Sequence, residues 1–128
     1  MDKIWQTLYN NAAAASNPRD ISDTIFSGSV SAAVLTASGN IYTGVSVDAA
    51  CSIGFCAERN AIGSMLTAGE YEITKLVAVK NGAVILPCGV CREFLMQLSE
   101  KSADMEILTE LEPLEHMKLA DLLPHYWK

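Results

Sequence analysis

Apolar residues at helical spacing open the chain. Ile4, Trp5, Leu8, Ala12 and Ala15 fall close to one face of residues 2–16, and Asn17-Pro18 ends the run. Residues 19–28 show no clear period and read as a connector. Residues 30–37 are an apolar strand, Ser38-Gly39-Asn40 a hairpin turn and residues 41–47 its partner. Residues 48–54 are a loop of small residues feeding a second helix over 56–67, which Gly69 stops. A third strand over 73–80 ends at the Asn81-Gly82 turn. Residues 83–86 then lead into Pro87-Cys88, which starts a third helix over 88–99. Within these helices Met65, Leu95 and Met96 read as core. A fourth strand covers 105–109, with Ile85 or Leu111 near further short pairing. A last helical turn covers 118–123, before Pro124. The order helix, hairpin, helix, strand, helix, strand predicts one domain over residues 1–128, an α/β sandwich with a mixed sheet.

Composition agrees with a single core. Of 128 residues half are hydrophobic and 19% charged, as in ordinary globular domains. No apolar run approaches the ~20 residues of a membrane span. The start, Met1-Asp2-Lys3-Ile4-Trp5, lacks the basic-then-apolar plan of a secretory leader, so a cytoplasmic protein without a membrane partner is expected. Nine basic against fifteen acidic residues give a net charge of −6. Non-specific polynucleotide binding depends on Lys and Arg neutralising phosphates, so this balance argues against a nucleic-acid polymer.

The chemistry lies in two short stretches, Phe55-Cys56-Ala57-Glu58-Arg59 and Pro87-Cys88-Gly89-Val90-Cys91-Arg92-Glu93. Cys88 and Cys91 stand at i and i+3, one above the other on a helical turn. Cys56 and Cys88 both open apolar-periodic runs, so each lies at a helix start. Two helix N-termini meeting at one point would lower the thiol pKa values and favour a metal ion. Three thiolates suit zinc and leave its fourth tetrahedral position open, the mark of a catalytic site. Glu58 can face the same ion if Cys56 is the cap and Glu58 lies in the first turn. A C-x-x-C beside a third cysteine, with no leader, reads as a metal site in preference to disulfides.

These motifs resemble those of the small zinc-dependent cytidine deaminases, including the blasticidin S deaminases; three cysteines with a non-ligand glutamate are the zinc-deaminase signature. The likeness runs from about residue 30 to residue 98 and more weakly to the C-terminus. It implies a three-layer α/β/α sandwich with a mixed, about five-stranded sheet. It implies Cys56, Cys88 and Cys91 as zinc ligands, Glu58 as proton shuttle, and Arg59 as the cation that hydrogen-bonds the thiolates and offsets their charge. Backbone groups at Ala57 and in Pro87-Cys88 would anchor the base. The implied activity is hydrolysis of the exocyclic amine of a free cytosine nucleoside, cytidine or deoxycytidine, with release of ammonia. The implied assembly is a homotetramer.

Departures from the family pattern bear on the substrate. Ser29-Val30-Ser31-Ala32-Ala33 stands where nucleoside-specific members carry Phe-x-Val-Gly-Ala-Ala. Ser46-Val47-Asp48-Ala49 stands where they carry Asn-x-Glu-Asn, leaving Asp48 to carry what sugar recognition remains; Ser46 takes the place of a clamp amide, and Ser29 is expected to matter more for bulky substrates, both as substrate-binding candidates. The end, Leu122 to Trp127, resembles the blasticidin S branch, whose aromatics close over the substrate, and so nominates Tyr126 and Trp127. A modified-cytosine nucleoside is the alternative substrate. The rival to catalysis is a closed structural zinc site in a binding module, which needs Cys51, His116 or His125 as a fourth ligand. Cys51 reads instead as a small buried residue, and the histidines as surface or packing groups.

Overall fold

The computed structural model describes residues 3–128. Helix α1 (Lys3–Ala15) is followed by β1 (Arg19–Asp20), β2 (Phe26–Thr36), β3 (Ile41–Asp48), α2 (Ala57–Thr67), β4 (Ile73–Lys80), β5 (Ala83–Ile85), α3 (Gly89–Met96), β6 (Glu106–Glu110) and β7 (Glu115–Lys118). Short 3-10 turns cover Ala50–Ser52, Ser102–Asp104 and Leu119–Leu122. Asp2, the expected first residue of α1, lies outside the described residues.

Among the described residues the sheet has seven strands. Residues 31–35 of β2 pair with β3 on one edge and β4 on the other, both antiparallel. Parallel pairing of β4 with β6 and antiparallel pairing of β6 with β7 complete a mixed five-strand order, β3-β2-β4-β6-β7. The two remaining strands are short: β1 extends the β4 side of β2, and β5 pairs with the end of β4.

Side-chain alternation sorts the core into two layers. Trp5, Leu8 and Ala12 of α1 pack with Ala33, Val77, Val79 and Leu108 on one face. On the other face Ala61, Ile62 and Met65 of α2 and Leu95 of α3 meet Val34, Leu76 and Ile107. Neighbouring strand residues therefore point to opposite layers, as a sheet covered on both sides requires. Each fully buried Leu, Ile or Met is worth about 1.5–3 kcal/mol relative to exposure. Met65 and Leu95 are fully buried, and Met96 packs partly buried against them.

The structure corrects the sequence reading in places. The connector holds β1 and the first residues of β2, because Phe26 and Ser27 pair on both edges, with β1 and with β3, which no local pattern shows. Strand β7, which the apolar pattern leaves without an element, is a polar edge strand. Helix α3 stops at Met96 instead of Ser99. Cys51 is exposed instead of buried, at a left-handed φ of 63° inside the 3-10 turn.

One close approach sets the site. A Cβ on Gly44 would lie 2.3 Å from the Ala61 nitrogen, so α2 rests directly on β3. Asn60 Nδ2 donates to the Val45 carbonyl at 2.9 Å across the same contact. The N-terminus of α2 is thereby held against the sheet.

Candidate metal centre and active site

Both helix starts form as the sequence indicates. Cys56 is the N-cap of α2 and Cys88 that of α3, each in extended backbone. Phe55 and Val47 exchange backbone hydrogen bonds of 3.0 and 2.9 Å, which fixes the chain just before Cys56. The Cys56 and Cys88 sulfurs lie 3.6 Å apart, and all three thiol sulfurs lie within 4.8 Å of one another. Tetrahedral Zn–S bonds of about 2.3 Å put ligand sulfurs a little under 4 Å apart, so the set fits zinc. Among the described residues no Cys51, His116 or His125 atom joins this cluster. His116 instead stacks on Trp5 at 5.5 Å. A closed four-ligand site is therefore not built.

The surrounding charges match an anionic donor set. Arg59 Nη2 approaches the Cys56 sulfur at 3.9 Å. Its pKa is raised, first by that contact and then, against the cost of burial, by Cys91. The Arg59 Nε is buried without a partner. Burial acts to raise the Cys88 thiol pKa, yet the amides of Cys91 and Val90 and the neighbouring sulfurs outweigh it, and the net shift is downward. Cys91, fully buried in α3, moves strongly upward through desolvation and the Glu58 charge. Bound metal would reverse that cost, since a coordinating thiol is deprotonated outright.

Glu58 lies in the first turn of α2 and is only 3% exposed. Desolvation raises its pKa, against a backbone hydrogen bond and the Arg59 charge. A buried carboxylate with a raised pKa can hold a proton part-way through a reaction and release it again.

A pocket of about 520 Å³ opens beside this carboxylate. Ser29, Ser46, Asp48 and Ala57 all line it, with Cys56, Glu58, Arg59 and Cys88. Ser46 is 7% exposed; its Oγ accepts the Val30 N–H at 3.1 Å and lies 3.4 Å from the Ser29 Oγ. It thus closes an irregularity in β2 as well as facing the pocket. Pro87, Tyr126 and Trp127 are not among the lining residues. The two aromatics rest on Glu93 of α3: Tyr126 Oη donates at 2.6 Å and Trp127 Nε1 at 3.0 Å.

Sequence reasoning missed Ser52, Lys80 and Leu86 on the pocket wall. Only Lys80 carried a signal. It shares strand parity with Ala78, which packs on Ala57 at the start of α2.

Comparison with known proteins agrees with this geometry. The family described as "Cytidine and deoxycytidylate deaminase zinc-binding region" matches residues 5–105. The chain belongs to this family. Its members are aminohydrolases, and the deaminase described here is an enzyme of that class with a zinc-binding site. Among similar proteins is a cytidine deaminase of Mycobacterium tuberculosis, 30% identical over 125 residues, covering 96% of this chain and 89% of the other. A blasticidin-S deaminase of Bacillus cereus is 31% identical over 106 residues, covering 74% of each. The crystal structure of cytidine deaminase from Mycobacterium leprae superposes with a TM-score of 0.78 at 28% identity, over 94% of this chain and 98% of that one.

Proposed function

We propose that this deaminase hydrolyses the exocyclic amine of cytosine on a free nucleoside, cytidine or deoxycytidine, giving the uracil form and ammonia. The observation that carries the reading is Glu58, a buried carboxylate opening into a small-molecule pocket beside three clustered thiols. Zinc held by Cys56, Cys88 and Cys91 would supply a Lewis acid that lowers the pKa of water to about 7. Glu58 takes a proton from the attacking water and passes it to the ring nitrogen beside the amine-bearing carbon. It then carries the second proton to the departing amine, so water and substrate balance as product and ammonia. Arg59 offsets the thiolate charge. Ala57 supplies backbone polarity for the base edge, and Ser29, Ser46 and Asp48 meet the sugar.

The sugar wall is made of two hydroxyls and one carboxylate. A site with fewer buried groups demanding partners discriminates less. Cytidine and deoxycytidine should therefore be turned over within about tenfold of each other. Bulkier cytosine nucleosides such as blasticidin S should also be accepted, a reading favoured by the similarity to a blasticidin-S deaminase. A substrate panel followed by ultraviolet absorbance and ammonia release tests this. Asp48→Ala should raise KM more than it lowers kcat. Turnover of none of these compounds by zinc-loaded protein would overturn the proposal.

Assembly into a homotetramer is part of the same reading. Its support is the apolar group of Ile53, Phe55, Val90 and Phe94, exposed around a groove next to the pocket. Light scattering of the purified protein tests it. A cytoplasmic site of action, in pyrimidine salvage, belongs to the same reading and follows from a free cytosine nucleoside as substrate. Among the described residues no helix is long and apolar enough to cross a membrane.

A further inference from the structure

The three ligand cysteines are not held equally. Cys91 is fully buried within α3. Cys56 follows the paired backbone of Phe55 and Val47. Cys88 is exposed and caps α3 without a side-chain hydrogen bond, and the two residues before it, Leu86 and Pro87, belong to no strand or helix.

Arg92 grips this stretch. Its Nε donates to the Pro87 carbonyl at 2.7 Å, and its backbone N–H donates to the Cys88 carbonyl at 2.9 Å. The carbonyls on both sides of the Cys88 Cα thus end on one residue. The far side of the same guanidinium reaches the C-terminus, where Nη1 donates to the Leu122 carbonyl at 3.3 Å. The adjacent side chain, Glu93, clasps the chain end through Tyr126 and Trp127, and Gln97 Nε2 donates to it at 2.7 Å. Charge-assisted bonds of this kind are about twice as strong as neutral ones, and a guanidinium fork fixes direction as well as distance.

We propose that Arg92 is the positioning residue for Cys88, and that the C-terminal segment 119–127, latched by Glu93, holds Arg92 in place. The tail is a brace for the exposed metal ligand. The placement rests on the zinc reading above, but its mechanical part, the immobilised 86–88 backbone, does not.

Partners that orient metal ligands typically contribute 10–100-fold in metal affinity. Zinc release from the loaded protein to a chromogenic chelator should therefore accelerate about 10–100-fold in Arg92→Ala and less in Arg92→Lys. Removal of residues 125–128 should accelerate it as well. Because tail and guanidinium act in series, the truncation combined with Arg92→Ala should release zinc no faster than Arg92→Ala alone. Leu8→Ala, which loosens the core on the opposite face, should lose stability without faster release. Hydrogen exchange of the peptide over 85–91, read by mass spectrometry on the protein as isolated, should rise in the same order as zinc release. If Arg92→Ala does not fold, Arg92→Lys and the truncation carry the test. Normal release and normal exchange in the Arg92 variants would overturn the proposal, as would effects of tail and Arg92 that simply multiply. Faster exchange in protein that binds no zinc would leave the brace standing and remove the zinc reading.

Discussion

At the scale of single residues, one carboxylate has an environment that sets it apart from the other described acids. Glu58 is the buried acidic side chain among the described residues, and its pKa is raised by desolvation. The other carboxylate of the two motifs, Glu93, is taken up by Gln97, Tyr126 and Trp127. Glu58→Gln preserves shape and hydrogen bonding but cannot carry a proton. It should retain zinc by elemental analysis and lose at least about 10²-fold in kcat, the usual minimum for removing a general acid–base group. Near-normal turnover with full metal content would assign the proton transfers to another group.

At the scale of elements, two contacts outside the pocket flank α2, the helix that carries Glu58. The first is α2 on β3. A side chain at Gly44 has no room, since its Cβ would meet the Ala61 nitrogen at 2.3 Å and the Ala57 carbonyl at 2.8 Å. Gly44→Ala should destabilise by at least about 1–3 kcal/mol in chemical denaturation, the range for overpacking, and should lower activity because it displaces the start of α2. The second is the clasp on Glu70 after α2. Tyr42 Oη donates to it at 2.6 Å and Asn40 Nδ2 at 2.8 Å, and these bonds, Tyr42 first, bring its pKa from 4.5 to about 2. A carboxyl held below its unfolded value adds stability above the unfolded pKa and loses it as pH falls through the folded one. The Glu70 contribution is therefore present above about pH 4.5 and disappears toward pH 2. Glu70→Gln should lower the melting temperature near neutral pH and match the parent protein at the acidic end.

For the whole molecule, the metal centre ties two regions distant in the chain, the start of α2 at Cys56 and the start of α3 at Cys88 and Cys91. Metal that binds only the folded chain adds stability by mass action, about 4 kcal/mol at a thousandfold excess over Kd. Stripping zinc with a strong chelator should lower the melting temperature by about 10 °C, at the few degrees per kcal/mol of a domain this size. The same treatment should free the thiols of Cys56 and Cys88 for a thiol reagent in addition to that of the exposed Cys51, while the fully buried Cys91 stays protected. An unchanged melting temperature with zinc fully removed would mean that the site contributes nothing to the fold.

Part of this molecule is legible in the order of its residues alone. The donor set, the carboxylate and the two helix starts are local: each motif fits within one helical turn, so spacing alone sets which side chains share a face. Helices α1 and α2, the hairpin of β2 and β3, and strand β4 are legible for the same reason, because their apolar periods are long and unbroken. What tertiary structure decided is what depends on distant partners. Strands β1 and β7 are polar and exist because an edge was there to pair with. Ser52 shares one pocket wall with Lys80 and Leu86, although about thirty residues separate it from them in the chain. Tyr126 and Trp127 rest on Glu93 instead of lining the pocket, since a carboxylate one helical residue past Arg92 offered two acceptors for their polar tips. Short-range periodicity writes the chemistry into the sequence, while long-range pairing and packing, which no local pattern encodes, determine what surrounds it.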